Sequence, residues 1–327
     1  MITSGRGHAI GSRGSALGRQ HHVLKPLLIS HEGQHRPSRC LKDTLKLRDL
    51  TKALSRILPR STVCRHLRGH GRQKGAVRQV QPALPEYRFV CRTNVKSFYA
   101  SIDHDKLPTQ VARHVTSRPM MNLLVQYMRR TVEYGGTFRE VSCGITAGCC
   151  LSPLMGAFHL HDLDVAMTTR HSGCFYIRYM DDILIMAPSR WKLRRAIAAM
   201  NRELAALGLR QHPDKITIGP IARGFDFLGY HHAPTGLRLS AVTVKRHQEK
   251  LTRLYEPYHR QLRAYRNGWG GQSTIPGRHD AAWAYLNKRP VVTSHEDITQ
   301  LLKVYQRRFY RWASGGLETC GKNYLPV

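Results

Sequence analysis

The most constraining feature of this 327-residue chain is the stretch CFYIRYMDDILIMA, residues 174–187. Two short runs rich in β-branched and aromatic residues flank an adjacent acid pair, Asp181 and Asp182. That pattern predicts a β-hairpin with both acids at its tip. A carboxylate buried without a partner costs on the order of several kcal/mol, so such a pair holds a cation or neutralises itself. In a very basic chain, a hard divalent ion with a phosphate-bearing substrate is the natural occupant. An ordinary Asp-rich turn is the alternative that the tetrapeptide alone leaves open.

The chain is indeed very basic. It has 52 Lys+Arg against 21 Asp+Glu, a formal net charge of +31, far more than solubility requires. A hydrophobic fraction of 41% argues for a folded protein, so the charge points to a polyanionic partner. Nucleic acid is favoured over a membrane, because no run of about 18 apolar residues occurs. The opening MITSGRGHAIGSRGSALGRQHH lacks the apolar core of a secretory signal. Eight scattered cysteines without a CxxC pair predict a reduced, cytoplasmic chain. Cys64, His66 and His70 come nearest to metal-ligand spacing but lack a fourth ligand, and they read as basic-surface residues.

Along the chain, residues 1–36 read as a flexible basic arm. Leu45, Leu47, Leu50, Leu54 and Leu58 predict an amphipathic helix ended by Pro59. Residues 65–80 form a glycine-punctuated basic loop entering a short helix, either a solvated surface or a phosphate-contacting element carrying Lys74 and Arg78. Residues 87–95 read as a strand, a helical stretch is expected around Met121–Tyr134, and a buried helix from Leu151 onward. After the hairpin, Leu193, Ile197, Met200, Leu204 and Leu207 predict a helix ended by Gly208. Residues 223–230 read as a short β element. From 231 onward the chain is basic, aromatic and helix-prone.

Five segments in order resemble the reverse-transcriptase family, specifically its bacterial retron-like and group II-intron-like members. NVKSFYASIDH (94–104) is similar to the first palm motif, and GITAGCCLSPLMGAFHLHDLD (144–164) to the template- and nucleotide-positioning motif. YMDD is similar to the catalytic hairpin, HPDKITIG (212–219) to the lysine-bearing motif, and GFDFLGY (224–230) to the primer grip. The resemblance implies an α+β right-hand polymerase with an antiparallel palm sheet: an arm at 1–36, fingers and palm at 37–230, and a helical thumb at 231–327. It implies an RNA-directed DNA polymerase that extends a primer on an RNA template, with dNTPs as substrate and two Mg²⁺ ions (or Mn²⁺) as cofactor. Relatives serve mobile elements, retrons or defence against phage.

The same resemblance assigns roles. Asp181 would be a metal ligand, Asp182 a second ligand or an acid supporting the ligands from behind, joined by the backbone of Val95, and Lys215 a general acid toward pyrophosphate. Tyr99 would exclude a ribose 2′-hydroxyl, with core packing as its rival. Gly144 and Gly148 would let backbone lie against template and nucleotide. Lys74 and Arg78 would reach the triphosphate, and Phe227, Leu228 and Gly229 would form the primer grip. The departure with most bearing on the chemistry is at the family's first palm aspartate, which is here Asn94. Two dications about 4 Å apart repel by about 16 kcal/mol at an effective dielectric of 20, and bridging carboxylates offset that repulsion. Two readings therefore stand side by side, a polymerase and a catalytically silenced relative that binds RNA–DNA or structured RNA. Thr146 and Ala147 also depart from the Pro-Gln of many relatives.

Overall fold

The computed structural model describes residues 27–28, 41–134, 137–266 and 295–317. The elements begin with β1 (Leu27–Leu28), α1 (Leu41–Ile57), α2 (Arg72–Ala83) and β2 (Phe89–Asn94). Then come α3 (Lys106–Ala112), α4 (Arg118–Met128), β3 (Thr131–Tyr134), β4 (Thr137–Glu140), α5 (Ser152–His159) and α6 (His161–Arg170). The hairpin strands are β5 (Phe175–Tyr179) and β6 (Asp182–Ala187), followed by α7 (Arg190–Ala206) and β7 (Thr217–Pro220). The last are β8 (Phe225–Phe227), β9 (Tyr230–Ala233), β10 (Gly236–Leu239), α8 (Ala241–Arg266) and α9 (His295–Leu317).

The central sheet runs β5-β6-β2-β7 with every neighbour antiparallel. Its strands alternate between two cores, as a period of two requires. Cys91, Ile183 and Ile185 face a large core built with α1 and α3 to α7. Val90, Ile177, Leu184 and Met186 face a second core with Ala76 and Val80 of α2 and Phe225 and Phe227 of β8. Helices thus cover both faces, and the tip of the β5–β6 hairpin emerges at one end. A second antiparallel sheet, β10-β9-β8, continues from β7, and α9 closes over it through Leu317, Tyr230 and Leu237.

Most elements fall where the sequence places them, with three differences. The helical stretch expected to Tyr134 stops at Met128, because Thr131 and Val132 pair with β4 instead of continuing α4. The buried helix from Leu151 is two helices, α5 and α6, broken at Leu160. Residues 230–239 form β9 and β10 before α8 begins, so a boundary at 230/231 falls inside a paired strand. Within the expected arm, Leu27–Leu28 pair in parallel with β3, and the rest of 1–36 lies outside the described residues.

Candidate active site

The acid pair sits on the tightest possible hairpin. Tyr179 pairs with Asp182, leaving a two-residue loop of Met180 and Asp181. Met180 has φ 56°, a left-handed conformation that costs a non-glycine residue about 1–2 kcal/mol. Both of its peptide groups are held. Its N–H donates to His66 Nδ1 (3.1 Å), and its carbonyl accepts from Arg178 Nη1 (2.8 Å). His66 Nε2 in turn donates to the carbonyl of Pro153 (2.9 Å), which fixes the tautomer that leaves Nδ1 as acceptor. Burial holds the His66 pKa below its usual value, in keeping with a neutral ring. The Asp181 carbonyl accepts from Val95 N–H (3.1 Å) and ties the loop to the end of β2.

Arg178 anchors this arrangement from below. It is fully buried, and Nε and Nη2 form a two-pronged bond to Asp164 at 2.8 and 2.6 Å. Tyr176 donates to the same carboxylate (2.8 Å), and the remaining Arg178 bonds go to the carbonyls of Ala157 and Met180. A charge buried this deeply is tolerated because its donors are met.

At the tip, Asn94 lies directly opposite Asp182 in the β2–β6 register, and its Nδ2 is 3.5 Å from Asp181 Oδ2. Arg92, two residues earlier on the same strand face, is a diagonal neighbour of Asp182 and bonds its Oδ1 at 3.0 Å. Burial pushes the Asp182 pKa up; Arg92 pulls it down and Asp181 pushes it up again. Asn94 Oδ1 is buried without a hydrogen-bond partner. The side-chain donors for divalent ions beside the Val95 backbone are therefore one carboxylate already paired with a guanidinium, a second carboxylate, and an amide. Among the described residues no group of three His, Cys, Asp or Glu is placed to hold a metal. This set does not fit a pair of dications.

The other expected site residues divide into two groups. Tyr99 stacks on Phe98 (5.4 Å between centroids) and rests on Gly156, where a Cβ would come within 2.9 Å of its ring. Burial and then the Asp181 charge push its pKa up, so the ring lies within electrostatic reach of the tip. Gly144 has φ 85°, and a Cβ there would meet the Ala100 carbonyl at 2.7 Å, so only glycine fits. Gly148 also has positive φ, facing open space. Phe227 is buried, and Leu228 and Gly229 form the two-residue turn between β8 and β9, both at positive φ. Gln73 donates to the Leu228 carbonyl (2.7 Å) and Thr243 to that of Gly229 (2.9 Å). Lys215 is exposed in a one-turn helix.

Lys74 and Arg78 both meet α9. Lys74 Nζ bonds the Arg311 carbonyl (3.2 Å) and Arg78 that of Gly315 (3.4 Å), near the carbonyl end of α9. Cations are favoured at that end of a helix, and the contact gives both side chains a carbonyl partner on α9. Cys64 is buried, with its thiol 3.4 Å from His66 Nδ1 and burial raising its pKa to about 11, which corrects its reading as a surface residue.

A family model described as reverse transcriptase (RNA-dependent DNA polymerase) matches residues 27–232, nearly two thirds of the chain. The chain belongs to the reverse-transcriptase family. Its α+β, right-hand-polymerase architecture accords with that membership. Similar solved structures include apo telomerase from Candida tropicalis truncated from its C-terminal domain. The identity is 13% over 61% of this chain and 44% of that one, with a TM-score of 0.43. Telomerase from Candida albicans with a fragment of telomeric RNA aligns at 11% identity over 61% and 37%, with a TM-score of 0.45. The chain thus spans less than half the length of either telomerase. No curated protein sequence matches it.

Three residues that shape the hairpin tip of this reverse-transcriptase-family chain were not placed there by sequence reasoning. Arg178 carried a signal, a lone charge inside an apolar strand. Arg92 carried a weaker one, since position i−2 from Asn94 shares its strand face. His66 stood out only for its spacing from Cys64 and His70, and nothing local ties it to Met180, 114 residues away.

Proposed function

We propose that this chain is a reverse-transcriptase-family protein that grips RNA–DNA hybrid or structured RNA but is silenced at the chemical step. The observation that carries this reading is the Arg92–Asp182 ion pair, 3.0 Å, beside an asparagine where the family has an aspartate. Together they leave Asp181 as the one acid at the tip without a basic partner among the described residues. In this reading β2, β5–β7 and α5–α7 form the palm, α1–α4 belong to the fingers, and α8 and α9 to the thumb. The β8–β9 turn serves as primer grip, Tyr99 lies where an incoming ribose would pass, and Lys215 is free to swing toward a leaving group. The retron-like or group II-like affiliation rests on the five motifs, and a role in a mobile element or in phage defence follows from it.

A second reading, a working RNA-directed DNA polymerase using Mg²⁺ or Mn²⁺, is favoured by the tightly held Met180–Asp181 turn. That turn is kept at a conformational cost which a pure binding protein has no need to bear. Primer extension on an RNA template, run beside hybrid binding by anisotropy, separates the two. The silenced reading expects hybrid affinity to fall steeply between 50 and 200 mM salt, by about 10³-fold if six or more phosphates are contacted. It expects extension no faster than that of Asp181→Ala. Extension above that control supports the polymerase, and absence of hybrid binding rejects both.

A further inference from the structure

Helix α7 packs Leu193, Ala196, Met200 and Leu204 against the sheet face that carries Ile183 and Ile185. Asp182 alternates to the opposite face with Leu184 and Met186. The outer side of α7 is thus separated from the Asp182 side chain by the sheet itself. Its first residues follow the far end of β6, about 20 Å from the tip at about 3.3 Å per residue.

On that outer side Trp191 is 62% exposed, and the Arg195 guanidinium lies 4.5 Å from its ring centroid. Trp191, Arg195, Ala198 and Arg202 recur at spacings of four, three and four, which aligns them in one stripe about 16 Å long. Arg194 borders the stripe, and all of these side chains are exposed. The first turn of α7 contains Arg190 and Lys192 and no acid, although cations there oppose the helix dipole. Glu203 is the single acid of the helix, and it faces Arg170 at 3.4 Å. The charge concentrated here also helps burial to hold the His171 pKa down, through Arg195, Arg202 and Arg170. The first-turn cations work against the dipole of α7, and the face has the makeup of a stacking platform set among phosphate-binding cations.

We propose that the outer face of α7 is a second nucleic-acid site, for an unpaired stretch of RNA, with Trp191 stacking on a base and Arg194 and Arg202 on flanking phosphates. The strand is unpaired because an indole stacks on a base whose face is open, whereas a duplex offers only its backbone here. That the strand is RNA rests on the reading of the chain as a reverse-transcriptase relative that grips RNA.

The test uses the full chain and anisotropy with a labelled, unstructured 20-nucleotide RNA, the same sequence as DNA, and a labelled RNA–DNA hybrid. The single strands are measured in the presence of excess unlabelled hybrid. Trp191→Ala should weaken RNA binding about tenfold or more, Trp191→Phe should recover part of the loss, and hybrid affinity should stay within about twofold. Unchanged RNA affinity in Trp191→Ala, or equal losses for RNA and hybrid, would overturn the proposal. Equal, Trp191-dependent binding of the DNA strand would overturn the assignment to RNA. A wild type that binds the single strand but no hybrid would instead reject the function proposed above and leave this site standing.

Discussion

The Arg92 guanidinium lies 3.0 Å from Asp182 Oδ1, and the two are diagonal neighbours on one face of the sheet. In a nucleotidyl-transfer site, that position of charge is the one expected to be met by a cation from solution. Here the cation is a side chain, and the neighbouring position offers an amide. The chain therefore carries its own counter-charge, which is the physical core of the silenced reading.

Removing that counter-charge should expose the burial penalty on Asp182. Burial already raises its pKa while Arg92 lowers it, so Arg92→Met should move the titration of Asp182 upward. An acid whose folded pKa exceeds its unfolded value loses stability as pH rises through the window between them. The variant should therefore gain stability on acidification from neutral pH more than wild type does. Carboxylate NMR of Asp182 checks the shift; an unmoved or lowered titration would show that the pair has no electrostatic role.

The buried Arg178–Asp164 pair should be among the most sensitive points of the fold. Both side chains are 0% exposed, and removing one partner strands the other charge. Arg178→Met or Asp164→Asn should each cost about 3–5 kcal/mol, with the double variant costing less than the sum. Denaturant unfolding measures this, and single losses under about 1 kcal/mol would contradict it.

Much of this was legible in the sequence. The hairpin, the strand before it and the amphipathic helices follow from apolar periodicity, which short-range sterics and burial enforce. What was hidden depends on long-range placement. Lys74 and Arg78 look poised for phosphate because they sit in a basic, glycine-punctuated segment, yet they meet α9 carbonyls 237 residues away. The strands covering 231–239 read as part of a helical region because each is only four residues long, and they pair with each other and, through β9, with the three-residue β8. Asn94 was visible at once; that Arg92 compounds it required the register of β2 against β6.

Acid sensitivity should come from buried histidines. His232 stacks on Phe225 (5.4 Å, 12°), and burial, helped by His231, pushes its pKa down to about 3. Its unfolded value is about 6.5, so the unfolded chain binds more protons between those limits and stability falls as pH drops through them. His159, pushed down to about 4 by burial, acts in the same direction. Unfolding free energy measured from pH 7 to 4 should decline, and His232→Phe should flatten the decline without abolishing it. An unchanged slope would remove His232 from the account.

The central claim concerns the charge missing at position 94, and primer extension with Mg²⁺ on an RNA template tests it most directly. Asn94→Asp changes little volume and adds the carboxylate that two dications require. It should raise extension at least about a hundredfold over wild type, or about 2.7 kcal/mol of barrier, and Asp181→Ala should abolish the gain. Hybrid affinity should barely change, since one charge is added to a chain of net charge +31. Wild type and Asn94→Asp extending primers equally fast would contradict the claim and show that another group completes the site.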